Sequence, residues 1–344
     1  MDFGQLLRHR WREMRMRAAE AHARATDAAD EHLSRLEFLR EWRWSSLEGV
    51  LAALAIVIVL IYPLAAWIDS TIDDNPDFAA PAKALAPGKS RAVANAAALI
   101  SREVNRHGWT ANAPWFWPTA LLDDMPAYQS GIVAGVRRFA GAMPAIGRAN
   151  GAADADLAEA GQLFRYPPDV WVWDPSYSIW PVATSASQYK RAARSLRAYN
   201  SRLASHQAAF DASAANLAAL LGALADGLDD SSAAIAAHLD KNAGWPFDFA
   251  SDDVFYRAKG EAYADYIVLK GARSDFAPAI RARNLGRPWA AAMESLRHAI
   301  GLRPGVVLNG APDSSFFPCP VCGEGFYLSR AGQQLRAMEA SLRQ

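Results

Sequence analysis

Residues Gly49 to Ile68 read GVLAALAIVIVLIYPLAAWI, twenty positions without a charge, bounded by Glu48 and Asp69. At about 1.5 Å of rise per residue such a stretch spans roughly 30 Å, the thickness of a bilayer's hydrocarbon core. The pattern predicts one transmembrane helix, with a small piece of chain on one side and a large piece on the other. A secretory signal peptide would place an apolar core of about 7–15 residues close to the N-terminus, ahead of a small-residue cleavage site. Here 48 residues come first, and Trp67 stands where an interfacial anchor belongs. A soluble core helix seldom runs this far without a charge, so a retained anchor in the lipid bilayer is the expectation.

The flanks orient it. Arg35, Arg40 and Arg43 precede the span, with Trp42 and Trp44 as interface anchors. Asp69, Asp73, Asp74 and Asp77 follow it, and no basic residue appears before Lys83. Basic flanks stay on the cytoplasmic side. A cytoplasmic N-terminus in the bacterial inner membrane and a periplasmic C-terminal part, 69–344, are therefore expected.

The chain has 344 residues, of which 51% are hydrophobic, and a formal net charge of zero. That balance lacks the basic surface a nucleic-acid partner calls for. The exported part, about 275 residues, is long enough for one large domain or two subdomains. Its abundant Ala and scarce β-branched alternation favour helices.

Four regions follow from this reading. Residues 1–48 form a cytoplasmic helical arm, free of Gly and Pro from Gln5 to Glu48. Phe3, Leu7, Trp11, Met14, Ala18, Ala21, Ala25 and Ala28 recur there at spacings of three and four, which reads first as a solvated amphipathic helix continuous with the span and second as the weak, Ala-rich seam of a homo-oligomeric coiled coil. Arg8, Arg10, Arg12, Arg15 and Arg17 also suit a helix lying on anionic headgroups. The span is 49–68. A linker, 69–90, carries Pro76, Pro81, Pro87 and Gly88 without periodicity. Its Pro87-Gly88-Lys89-Ser90 mimics the end of a phosphate-binding loop, but that motif needs a Gly where Lys83 stands, and no strand precedes it. Residues 91–344 form an all-α periplasmic domain.

Within that domain a helix is expected from Arg91 to Arg106, stopped by His107-Gly108. The aromatic segment Trp109 to Pro118 comes next, followed by a helical stretch through Arg138. The alternation at Val170-Trp171-Val172-Trp173 fits an extended loop better than a strand, for want of an evident partner. Ser185 and Gln188 have capping-box spacing. From there Tyr189, Ala192, Leu196, Tyr199, Leu203, His206, Phe210, Leu217 and Leu224 trace one stripe, and no Gly or Pro intervenes before Gly222. The stripe predicts a central helix over 185–224, more than about 50 Å long. Further helices are expected at 229–241, 252–270, 275–284, 287–300 and 329–343. The fold class is mainly α: a single transmembrane helix followed by a helical bundle around that long helix.

Cys319-Pro320-Val321-Cys322-Gly323 holds the only two cysteines. In an oxidising compartment they form a local disulfide or a dithiol redox pair. The same turn also suits a zinc knuckle, with Cys319 and Cys322 as metal ligands. A closed zinc site needs two further ligands, from distant histidines or a second subunit. His206, alone on an apolar stripe, reads as a packing residue. The acid pairs Asp123-Asp124, Asp229-Asp230 and Asp252-Asp253 point about 100° apart on a helix, so they read as caps or dipole partners, with Asp229 or Asp252 capping a helix. No H-E-x-x-H, G-x-S-x-G or S-x-x-K pattern occurs, so no catalytic residue is assigned. Trp109, Trp115, Trp117, Trp171 and Trp173 are candidate ligand-binding residues. With Phe116, Trp180, Trp245, Phe247 and Phe249 they can line a groove that stacks on sugars, beside Asp124 or Asp174. Such rings also simply cement loops onto bundles.

The segments HGWTANAPWFWPTALLDDMPAYQSG (107–131), SQYKRAARSLRAYNSRL (187–203), SDDVFYRAKGEAYA (251–264) and GFYLSRAGQQLR (325–336) resemble an uncharacterised family of bacterial membrane proteins, domain of unknown function 2333. The resemblance implies a membrane anchor and a helical domain, and no activity, substrate or cofactor. The sequence therefore reads first as a non-enzymatic, inner-membrane-anchored envelope protein that scaffolds or binds an envelope partner. A cell-wall glycan-binding protein or enzyme using the Trp-rich loops is the second reading. A redox or zinc protein using the CPVC pair is the third.

Overall fold

The computed structural model describes residues 48–56, 72–113, 124–148, 151–173, 178–241, 250–304 and 319–344. The chain forms two compact units, Met1–Leu64 and Ala65–Gln344. Of the first, residues 48–56 are described; they are helical and exposed. Among the described residues no helix is long and apolar enough to cross a membrane. Positions 57–68 of the apolar stretch lie outside the described residues, as do the arm 1–47 and its coiled-coil seam.

The second unit is a bundle of helices: α1 (Arg91–Asn105), α2 (Asp124–Ile146), α3 (Ala155–Leu163), α4 (Ser185–Ala204), α5 (Ala214–Lys241), α6 (Ala250–Asp275), α7 (Ala277–Ala282), α8 (Gly286–Gly301) and α9 (Pro320–Arg343). No strand occurs among the described residues. The main pairings are α2 along α6 and α5 along α9, with α8 against α9 and α1 against both α4 and α6. One continuous core joins them, with Tyr128, Tyr189, Tyr199, Tyr263, Phe255 and Trp289 fully buried.

The expected central helix over 185–224 is two helices. α4 ends at Ala204, and α5 begins at Ala214. The break is a Schellman motif: His206 takes the left-handed conformation at φ 59°, while Gln207 N–H reaches Arg202 O and His206 N–H reaches Leu203 O. Asn284 does the same after α7, at φ 53°. These positions usually belong to Gly, so a search for Gly and Pro passes over them. Ser213 Oγ then accepts from Asn216 N–H and opens α5. The stripe is buried at Tyr189 and Leu196 on α4 and at Leu217 and Leu224 on α5, but His206, expected to pack on it, is exposed in the turn.

The cap of α4 also differs from expectation. Thr184 is the N-cap and accepts from Ser187 N–H. Ser185 is buried and ties the 166–185 loop to the helix, donating to Pro167 O and accepting from Val170 N–H. Residues 170–173 form no strand, and 172–173 lie in a turn; Val182 and Ser185 N–H donate to Val172 and Val170 O.

Residues 72–90, of linker composition, carry only the 3-10 turn Ala82–Leu85, yet they are bound across the bundle as a strap. A chain with no ladder partner must satisfy its backbone otherwise. Here side chains supply the donors: Arg102 and Tyr128 to Asp73 O, Tyr263 to Asn75 O, and Lys270 to Pro76 and Phe78 O. Ser90 N–H and O are both held by the Asn200 amide.

Candidate functional site

α1 starts at the strap's end. Ser90 caps it, and the carboxylate of Asp275, at the end of α6, accepts from Ser90 Oγ and from Arg91 and Ala92 N–H at 2.7–2.9 Å. The helix N-terminus beside Pro87-Gly88-Lys89-Ser90 therefore already holds an anion from within the chain, where a phosphate would sit in a nucleotide-binding loop.

Beyond that start the strap and α1 enclose a cleft of about 570 Å³. Its floor is Val93, Ala94, Ala97 and Ala98, small residues on one face of α1 that leave room where larger side chains would fill it. Phe78, Ala79, Pro81 and Ala84 of the strap form one wall, and Arg197 and Asn200 of α4 the other. The charged lining residues are Lys83, Lys89, Arg102, Arg106 and Arg197, with no carboxylate among them.

Arg102 is already neutralised. Its guanidinium meets Glu103 Oε1 at 2.8 Å, Asp73 Oδ2 at 3.1 Å and the Tyr263 hydroxyl at 3.0 Å, and stacks 4.8 Å over the Phe78 ring. Burial works against its charge, but Glu103, the two tyrosines and Asp73 outweigh that and keep it protonated. Lys83, Lys89, Arg106 and Arg197 form no ion pair among the described residues. Lys89 Nζ donates to Lys83 O, and Arg197 donates to Ser101 Oγ. The pKa of Arg197 is lowered, by partial burial and then by neighbouring Arg194. The rim thus carries cations without counter-ions over an apolar floor, an arrangement that attracts an anion with an apolar body.

Below the strap lies a second charged group. Asp74 pairs with Lys259 at 2.9 Å and with Arg303 at 2.6 Å, and Lys259 also donates to Leu302 O. Burial alone would raise the Asp74 carboxyl; the two cations outweigh it and hold it below the usual range. Glu324 on α9 is fully buried with no hydrogen-bond partner, and burial pushes its carboxyl well up despite Lys259. The two pairs of Asp74 fasten the strap to α6 and to the segment that follows α8.

Of the residues singled out in the sequence, the structure describes only some, and it bonds the segment from Trp109 to the loop that carries Trp171 and Trp173. Trp109 is only 8% exposed; its indole N–H donates to Pro168 O, and its ring meets Tyr189 edge-on. It packs the 166–185 loop. Trp173, Ile179 and Trp180 are 62%, 84% and 73% exposed on that loop, with Trp171 half-buried. Trp115, Phe116, Trp117, Asp123, Asp174, Trp245, Phe247 and Phe249 lie outside the described residues. Asp229 sits within α5, not at its start, and pairs with Arg336. It is no cap, because α5 begins fifteen residues earlier. Asp252 and Asp253 lie in the first turn of α6, and Asp124 in that of α2. His206 is exposed in the turn between α4 and α5.

Cys319 and Cys322 are joined in a disulfide at the start of α9, where Cys319 is the N-cap and its sulfur accepts from Cys322 N–H. Among the described residues no group of three or more His, Cys, Asp or Glu is placed to hold a metal ion. The cleft was missed in the sequence because its residues come from the strap, α1 and α4. Its one local signal is the Val93-Ala94 and Ala97-Ala98 spacing, which also reads as ordinary core.

A family model described as "Uncharacterized protein conserved in bacteria (DUF2333)" matches residues 39–248, more than half of the chain. That interval takes in the apolar stretch, the strap and α1 through α5, and so every residue lining the cleft. No curated protein and no solved structure matches the chain.

Proposed function

The chain belongs to DUF2333, a family of uncharacterized proteins conserved in bacteria, and on that footing we propose that it is a membrane-anchored binding protein whose helical domain captures an anionic partner in the cleft between strap and α1. The supporting observation is the rim of Lys83, Lys89, Arg106 and Arg197, unpaired over a floor of Val93, Ala94, Ala97 and Ala98. An unpaired cationic rim is useful when a ligand completes it. Binding rather than catalysis is favoured because the cleft holds no nucleophile with an adjacent base and no paired acid and base. The uncharged stretch 49–68 supports a single-pass anchor in the inner membrane, and the Asp-rich side of that stretch supports a periplasmic location for this domain.

Naphthalene-2-sulfonate, an anion on a flat apolar body, is a suitable probe. Titration calorimetry of the full chain in non-ionic detergent is expected to show one site that weakens as salt is raised. A Lys83→Glu/Arg197→Glu double variant should lose at least tenfold in affinity, because two attractions become repulsions. Absence of binding, or a double variant that binds as well as the parent, would remove the cleft from consideration.

A further inference from the structure

We infer that the cleft's ligand is a single-chain anionic amphiphile, a long-chain carboxylate, with its acyl chain lying along Val93, Ala94, Ala97 and Ala98 and its acid group among the rim cations; this rests on the cleft being the binding site. The hydrogen-bonding groups left free in the cleft select the ligand. Asn200 spends its amide oxygen on Ser90 N–H and its amide nitrogen on Ser90 O. Ser101 Oγ donates to Ala97 O and accepts from Arg197. Arg102 is committed to Glu103, Asp73 and Tyr263. The α1 backbone facing the cleft is consumed by its own helix. A peptide or a sugar laid here would bury polar groups with nothing to bond them, which is costly. A methylene chain asks for no partner. Of the lining side chains, Lys83, Lys89, Arg106 and Arg197 are the charged ones that lack an ion-pair partner among the described residues.

Dimensions agree. From Val93 to Asn105 α1 runs thirteen residues, about 20 Å, and the volume of about 570 Å³ lies within the range typical of small-ligand sites. Phe78 and Pro81 of the strap would cover the chain from above, as a segment held by side chains from three helices can do without a rearrangement of the bundle.

The test uses the full chain in nanodiscs and a myristate carrying a diazirine on its chain. On irradiation the label is expected on peptides containing residues 78–84 and 93–98. Unlabelled saturated carboxylates should compete about fourfold better for each methylene added, until the cleft is full. Myristyl alcohol should compete at least tenfold worse than myristate. The Lys83→Glu/Arg197→Glu variant should label at least tenfold less, with its unfolding temperature showing that it is folded. Lysophosphatidylglycerol is the arm that separates head groups. If it competes better than myristate, the free carboxylate is overturned in favour of a phosphate-headed lipid. Label confined to residues 49–68, or alcohol and acid competing equally, overturns the proposal outright. Naphthalene-2-sulfonate bound in the cleft and indifferent to myristate would overturn this ligand and leave the anion-binding reading standing.

Discussion

Asp265 lies on α6 with both carboxyl oxygens buried and no hydrogen-bond partner. Burial pushes its carboxyl well above the ordinary range, Glu261 one turn earlier adds to the shift, and Arg138 only partly offsets it. Glu261 is raised too, by burial, against the pull of Arg138 and Ser231. In the unfolded chain Asp265 ionises near the ordinary value of about 3.9. Above that pH the native state keeps a proton that the unfolded state has lost. Stability therefore falls as pH rises through the window between the two values, by about 1.4 kcal/mol per pH unit for each such proton. Asp265→Asn keeps the neutral form at every pH. It is expected to flatten this slope and to be the more stable protein at pH 7, measured by urea unfolding between pH 4 and 8. A variant with the parental slope, or one less stable at pH 7, would contradict the assignment. Nothing in the residues around Asp265 in the chain announced this, because AYADYIV reads as an amphipathic helix with its Asp in water. Burial was decided by α2, more than a hundred residues away.

Helices α2 and α6 meet across glycines. A Cβ on Gly260 would be driven into Tyr128 O, and one on Gly131 into Arg257 O. Both obstacles are helical backbone, which cannot swing aside. Gly260→Ala sets two effects against each other. Helix propensity favours Ala by about 0.5–1 kcal/mol, and overpacking costs about 1–3 kcal/mol or more. Overpacking should win, with a net loss of about 1–3 kcal/mol in denaturant unfolding. Gly141, also on α2, has nothing within 4 Å of an added Cβ. Gly141→Ala should accordingly gain about 0.5–1 kcal/mol. Equal effects at the two sites would mean that the close crossing is not what selects glycine at 260. Helix positions were legible at this scale where a stop signal marks the end, as at α1, expected over 91–106 and observed over Arg91–Asn105. The break between α4 and α5 was not, because His206 adopts a backbone that the sequence code assigns to Gly.

For the molecule as a whole, the orientation expected from the Asp-rich flank at 69–77 can be read through the one disulfide. In intact cells, a maleimide that passes the outer membrane and not the inner one should label Cys319 and Cys322 only after reduction. Labelling that appears only when the inner membrane is opened would place the helical domain in the cytoplasm and overturn the periplasmic reading. Sequence by itself determined the helical class, the apolar stretch 49–68 and the family, because composition, periodicity and a run of uncharged residues are local properties. It also marked the CPVC pair. Tertiary structure alone decided that 72–90 is a strap and not a tether, since the groups that hold it, Arg102, Tyr128, Lys259, Tyr263 and Lys270, come from three separate helices. It alone decided that Trp109 is packing, that Asp275 fills the start of α1, and that four cations share one cleft. Which charges are neutralised and which are left open depends on distances across the fold, and those are set when the helices pack.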